Sequence, residues 1–436
     1  MKHLLILLSL LVFSCSSSRQ EHVATNLDVN AKVHTQSPDA LLWPPETHLV
    51  ATFDVLHEDG LMIIFTQSTQ ANYAVDWDND GIFDDHDITQ ATTHHYGKPG
   101  RYTLRIAGDL PHIQFCPVTW KEAFINHIQV VDILQWGKIH WQSMHKMFSA
   151  CTSLETWSAI DKPILNEVKD MSYMFYGTEA FQQPLDDWDV SHVTDMSSMF
   201  ALGNYNQPLG RWDVSHVSNM SHMFYGNHAF NQPVNDWNVS HVNNMSHMFH
   251  DAESFNQPLD QWDVKNVEDM RHMFDVALAF NQPLHTWDIK NVKYINHMLA
   301  EAASFNQPLD SWKFDSTTSL AGLLVGASAF NQPLATWDIS HIKDTSYMLA
   351  YTESFDQPLD TWNVQNVETM EWMLYDSAMS TKNYDKTLRA WARQSPLKEH
   401  VTLDARGLSY CHAEKARKEL ITRYHWQIQH DQKMCK

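Results

Sequence analysis

Residues Phe255–Phe274 read FNQPLDQWDVKNVEDMRHMF. Residues Phe280–Leu299 read FNQPLHTWDIKNVKYINHML, and Phe230–Phe249 read FNQPVNDWNVSHVNNMSHMF. Trp188 and Trp212 are 24 residues apart, and Trp237, Trp262, Trp287, Trp312, Trp337 and Trp362 follow at steps of 25. Each of these eight copies carries a Gln-Pro pair whose Pro lies four residues before the Trp. A degenerate copy opens the series at Ser143. A period of this length and fidelity marks an array of units that bury their apolar side chains by stacking on one another.

Within one unit, Met270, Met273, Phe274 and Ala277 stand at i, i+3, i+4 and i+7, one face of a short helix. Asn266, or the Ser equivalents in other copies, would cap its start. Pro258 stops any helix before the next extended stretch, where Leu259, Trp262 and Val264 follow, the last two pointing the same way. The expected fold is therefore an α/β solenoid of ~25-residue strand-plus-short-helix units. Neighbouring strands would pair in parallel at about 4.8 Å. Asn206, Asn231, Asn256, Asn281, Asn306 and Asn331 would form an internal ladder that satisfies backbone groups in the turns.

The repeat resembles that of BspA-like leucine-rich-repeat surface proteins, over about residues 140–378. The tail from Asn383 (NYDKTLRAWARQSPLKEHVTLDARGLSYCHAEKARKELITRYHWQI) resembles that family's closing segment and would serve as a C-terminal cap. The resemblance implies a non-enzymatic cell-surface binding protein, often adhesive. The departure is His where that pattern usually carries Asn or Ser. Upstream, NYAVDWDNDGIFDDHDITQATTHHYGKPGRYTLRIAG (72–108) resembles a PKD-like β-sandwich. Asn72–Trp77 and Arg101–Ala107 read as its strands and the YGKPG stretch as a turn.

The chain has 436 residues and a net charge of −22, from 52 Asp and Glu against 30 Lys and Arg. That field repels phosphate backbones and argues against nucleic acid as a partner. Lys2 precedes an apolar run from Leu4 to Phe13, too short to span a bilayer but fit for a secretory leader. It ends in LVFSC, which resembles a bacterial lipobox and implies cleavage before a lipidated Cys15. The domain reading is a signal peptide at 1–14, a lipidated tether at 15–44, the PKD-like sandwich at 45–130, the repeat array at 131–378 and the cap at 379–436. The expected location is the bacterial cell envelope, lipid-anchored, at the outer membrane or cell surface. Cys116, Cys151, Cys411 and Cys435 remain as an even set that permits disulfides in an exported protein. Three connectivities are open, and the long array between 151 and 411 favours the local pairs.

Asp76, Asp78, Asp80, Asp84 and Asp87 occupy positions 1, 3, 5, 9 and 12 of an EF-hand-like spacing, with Gly81 at 6 and the Ile82 carbonyl at 7. Calcium takes hard oxygen ligands of this kind; the alternative is an acidic hairpin turn. Asp replaces the usual Glu at position 12, and no other cofactor is expected. The regularly spaced Trp read as core rather than as a sugar platform. His222, His247, His272 and His297 form one column, and His192, His216 and His241, joined by His341, another. Stacked imidazoles can bind a soft metal such as Zn²⁺ or Ni²⁺, but the favoured reading is a solvated convex face. No GxSxG, HExxH or GxxxxGK[ST] motif occurs, so no catalytic residues are assigned. The expected function is adhesion or protein–protein interaction with an extracellular or host-matrix protein, or a surface glycan, at an outward face including Asp260, Asp263 and Asp288. The alternative is a carbohydrate- or envelope-binding structural lipoprotein.

Overall fold

A computed structural model describes residues 43–58, 60–64, 66, 70–116 and 128–435. The first part is antiparallel. Strands β1 (Leu49–Val55), β3 (Asn72–Asp76), β4 (Asp85–Ile88), β6 (Gly100–Asp109) and β7 (Ile128–Gln135) form one sheet in the order β4-β3-β6-β1-β7. Strands β2 (Gly60–Ile64) and β5 (Thr92–Tyr96) form a second, two-stranded sheet. Period-two burial explains the pairing: Leu49, Ala51, Phe53 and Val55 of β1 are buried. Phe53 packs on Tyr96 of the other sheet at 5.2 Å between ring centroids. Strand β7 straddles residue 130, so this sheet runs on into the segment that leads to the first repeat.

The repeats overturn the expected α/β solenoid. They contain no helix and no multi-residue strand; among the described residues only α1 (Thr381–Trp391) and α2 (Glu414–Tyr424) are α-helical, and both follow the array. The reason lies in two residues per unit. His272 and Val276 have φ of 56° and 58°, left-handed values that end a right-handed helical turn. Met273 N–H therefore donates to Met270 O at 3.2 Å, and Ala277 N–H to Phe274 O at 3.1 Å, as two tandem turns. In a helix, Phe274 N–H would donate to Met270 O. Instead it donates to Met298 O of the next unit at 2.8 Å. Met270, His272 and Val276 donate likewise to Tyr294, Asn296 and Ala300. Two four-residue turns bring residues i, i+3, i+4 and i+7 inward just as a helix would.

A left-handed residue costs about 1–2 kcal/mol. Burying one Met or Phe side chain contributes about 1.5–3 kcal/mol. Each turn thus costs less than the side chain it brings inward contributes. Asn266 is not a helix cap either: its Nδ2 donates to Ser240 O of the preceding unit at 2.7 Å. Strand character within the array is reduced to single parallel bridges, such as Asn219↔Asn244 and Asn244↔Asp269.

What the units share is their stacking. Phe175, Phe200, Phe224, Phe249 and Phe274 stack at 5.6–5.7 Å between ring centroids. Trp237, Trp262 and Trp287 are buried, and each donates its Nε1–H to the carbonyl of the residue that opens the extended stretch one unit earlier, Leu209, Val234 and Leu259. The side chain of Asn231 accepts Asn256 N–H, Asn256 accepts Asn281 N–H and Asn281 accepts Asn306 N–H, each at 3.0 Å. The histidine column does not sit on a solvated face. His222, His247, His272 and His297 are half-buried and ring-stacked at 4.4, 4.6 and 4.8 Å. All four occupy the left-handed position of their turn, a conformation His tolerates better than most residues. The column stops at Gly322 (φ 63°), where a Cβ would fall 2.2 Å from the His297 ring.

Both ends of the stack are covered. Phe115 stacks on Phe148 at 5.4 Å, and its N–H donates to Met147 O. After the last unit, α1 places Trp391 so that its Nε1–H donates to Leu359 O, the bond that the repeat Trp make one unit earlier. The strand β8 (Thr402–Asp404), itself paired in parallel with β10 (Gln427–Gln429), continues the bridge row through Met370↔Leu403. Strands β9 (Ser409–Tyr410) and β11 (Gln432–Lys433) form a further short parallel pair.

Candidate functional site

Two places gather the residues singled out by sequence: the loop joining β3 to β4, and the outward row of the repeats. The loop leaves β3 at Asp76 and returns when Asp84 N–H donates to Val75 O at 2.9 Å. Asn79 and Gly81 take left-handed conformations, φ 59° and 93°, which fold the chain tightly enough to aim side chains inward. The Asp76 carboxylate is fully buried and accepts Asp80 N–H at 3.2 Å and Gly81 N–H at 3.0 Å. Arg105 on β6 donates to Asn79 Oδ1 at 2.7 Å and pins the loop to the sheet.

Asp76, Asp78 and Asp84 each bring one oxygen within 4.8 Å of those of the other two. Burial pushes the Asp76 carboxyl above its usual range, against the pull of the Gly81 N–H. A charged carboxylate held in that place is stabilised by a cation. Three hard oxygens suit Ca²⁺ or Mg²⁺ rather than a soft metal. Asp80 and Asp87 stand outside this set: Asp80 Oδ1 accepts Ile82 N–H at 2.8 Å, and Asp87 is exposed on β4 at φ 52°.

Asp260, Asp263 and Asp288 are exposed on the outside of the array. Each has work inside the chain. Asp263 Oδ1 accepts Lys265 N–H at 3.3 Å, and its other oxygen lies 2.6 Å from Lys265 Nζ. Asp288 repeats this with Lys290, whose hydrogen bond holds its carboxyl below the usual range. Asp189, Asp213 and Asp338 cap Ser191, Ser215 and Ser340 in the same way. Asn238 and Asn363 fill the same position and cap Ser240 and Gln365. Seven of the eight copies thus close an Asx turn here with a side-chain oxygen, charged or not, and Lys313 fills the position in the remaining copy. Asp260 accepts Asn235 Nδ2 at 3.0 Å. The capping role escaped the sequence reading, although an Asp or Asn directly after the repeat Trp is its signal.

Between the buried Leu and the buried Trp of each unit lie two positions turned outward. They read Asp186-Asp187, Gly210-Arg211, Asn235-Asp236, Asp260-Gln261, His285-Thr286, Asp310-Ser311, Ala335-Thr336 and Asp360-Thr361, exposed throughout except at Asp186, Asn235 and Asp360, which are partly exposed. Chemistry at these positions changes from unit to unit while the frame beside them does not.

The four remaining cysteines lie in two disulfides, Cys116–Cys151 and Cys411–Cys435. Cys15 and the leader lie outside the described residues, as does most of the tether. Among the described residues no helix is long and apolar enough to cross a membrane. No curated protein and no solved structure matches the chain. Four overlapping matches, at 120–224, 142–259, 201–303 and 280–391, fall to a family described as "Mycoplasma protein of unknown function, DUF285". They cover the whole repeat array and more than half of the chain, and on that ground this repeat protein belongs to the DUF285 family.

Proposed function

We propose that the protein is a non-enzymatic, lipid-anchored protein of the bacterial cell envelope whose repeat array binds an extracellular macromolecule. The observation that carries this reading is the row of outward pairs, such as Asp260-Gln261 and His285-Thr286, that differ between units on an otherwise uniform frame. A uniform core with a varied exposed row is what an extended recognition surface requires. The LVFSC stretch and the resemblance to BspA-like surface proteins support the anchored, adhesive form of the reading. The row is rich in acid and the chain carries −22, so the partner is a protein with a basic patch. Calcium at Asp76, Asp78 and Asp84 would brace the PKD-like segment that precedes the array.

The test of the reading is capture of the full chain by immobilised matrix proteins and by arrayed glycans across a range of salt. Retention on a basic matrix protein that weakens as salt rises supports it. Retention by neutral glycans alone would move the reading to a carbohydrate-binding structural lipoprotein. Fractionation of cells expressing Cys15→Ser tests the anchor: a protein that stays in the membrane fraction contradicts lipidation. A calcium-dependent rise in melting temperature that Asp78→Asn abolishes tests the loop.

A further inference from the structure

The half-buried histidine column holds one place that no repeat rule produces. Residue 250, three after His247, is also His; the equivalent positions in neighbouring units are Tyr225 and Asp275. His247 Nδ1 and His250 Nδ1 face each other at 3.0 Å. The ring of His272, one unit on, stacks on His247 at 4.6 Å and lies 5.8 Å from that of His250. One ring nitrogen from each of the three lies within 4.8 Å of those of the other two. We propose that His247, His250 and His272 form a binding site for one divalent transition-metal ion of the zinc, nickel or copper class, at the joint between two repeat units.

The donor chemistry selects the class. Imidazole nitrogens suit Zn²⁺, Ni²⁺ and Cu²⁺ and are poor ligands for Ca²⁺ or Mg²⁺. The geometry is near. A tetrahedral zinc about 2.0–2.1 Å from each nitrogen sets those nitrogens about 3.3 Å apart. The facing pair already stands at 3.0 Å, and the third nitrogen has to move inward by no more than about 1.5 Å to match that spacing. Asp275 Oδ2, 2.8 Å from His272 Nδ1, supplies the ring-orienting hydrogen bond and the negative charge that imidazole metal sites ordinarily have beside them. An ion here would replace the hydrogen bond in which one of the two Nδ1–H groups donates to the other Nδ1 by two coordinate bonds and would join adjacent units.

The test uses the full chain without a histidine tag, titrated with Zn²⁺ and with Co²⁺ as a spectroscopic probe. The expected result is one tight equivalent, visible Co²⁺ bands of a four-coordinate nitrogen-rich site, and a higher melting temperature with zinc. His247→Asn, which keeps a residue suited to the left-handed conformation, and His250→Gln should each weaken binding at least about tenfold, and Asp275→Asn by about tenfold. His192→Asn and His216→Asn, on the exposed column, should leave it unchanged. Should the His247 and His250 variants melt too low to interpret, Asp275→Asn alone decides. A tight equivalent that survives all three site variants, or no saturable binding by the wild type at 100-fold excess metal, overturns the site.

Discussion

Trp337, in the middle of the array, donates its Nε1–H to Leu309 O one unit earlier. Trp391, in helix α1 beyond the last unit, does the same to Leu359 O at 3.1 Å. The two residues sit in unrelated sequences and unrelated secondary structure, yet meet the stack at equivalent points. The other rows end likewise. Asn331 accepts Asp356 N–H, and Asp356 then accepts Ser380 N–H and Asn383 Nδ2–H from the closing segment. Gln394 accepts Val364 N–H and donates to Trp362 O. The stack therefore demands partners at fixed points, and a repeated sequence is only one way to supply them. Where the chain stops repeating, a helix and a short strand fill the same points.

The harshest way to break this comparison is to remove the closing segment. A chain ending at Ser377 leaves the Trp362 row and the Met370 edge without partners, and it should aggregate, because unpaired edges join other chains. A truncated chain that stays monomeric and melts like the full one would show that the segment does not close the stack. A milder cut is Trp391→Ala, which should destabilise by about 3–5 kcal/mol in denaturant unfolding, as Trp337→Ala should. A large cost at 337 with almost none at 391 would mean that the two positions are not equivalent.

Smaller again is Asn281→Ala. Its side chain accepts Asn306 N–H and Gln307 Nε2–H, and losing it should cost about 1–3 kcal/mol through an unpaired backbone donor. Asp356→Ala, at the junction with the closing segment, should cost a similar amount if the ladder is continuous. The smallest effect is acid sensitivity. His247 is held at about 3 in the fold, below the usual imidazole value near 6.5, so the unfolded chain takes up its proton first. The stability it lends to the neutral fold is complete above pH 6.5 and is lost as pH falls from 6.5 toward 3. His222 and His297, also lowered by burial, act in the same direction. The melting temperature should drop by a few degrees between pH 7 and 5, and His247→Asn should flatten that drop. An unchanged slope would place the acid-sensitive groups elsewhere.

The period, the buried Trp, Leu, Met and Phe and the asparagine ladder were all legible in the sequence, because each is a consequence of identical residues meeting at one repeat distance. The turn was not. Tandem turns and a helix turn the same four residues inward, and the left-handed positions are filled by His, Tyr, Ser, Val and Glu rather than by a run of Gly or Asn. Gly322 in the column of His297, and Gly177, Gly226 and Gly326 in the column of Glu301, were the available clue, since both columns can be filled by a residue that takes a positive φ freely. In the β3–β4 loop the acid spacing located Asp76, Asp78 and Asp84. It could not tell that Asp80 would fall outside this set, its Oδ1 accepting Ile82 N–H. His250 and Asp275 stood apart from the histidine column by three residues, a spacing that has no meaning until the turn is known.

The outward row and the frame beneath it make separable demands, and one triple variant tests this most directly. Asp260→Asn, Asp263→Asn and Asp288→Asn together remove three charges. They keep an oxygen for the turns, as Asn238 and Asn363 already do. Melting temperature and retention on the basic partner protein are then measured on the same preparation. The expected result is an unchanged melting temperature and retention weakened about tenfold or more. Retention equal to that of the wild type, with the fold intact, would contradict the assignment of the outward face that carries Asp260, Asp263 and Asp288 as the binding surface.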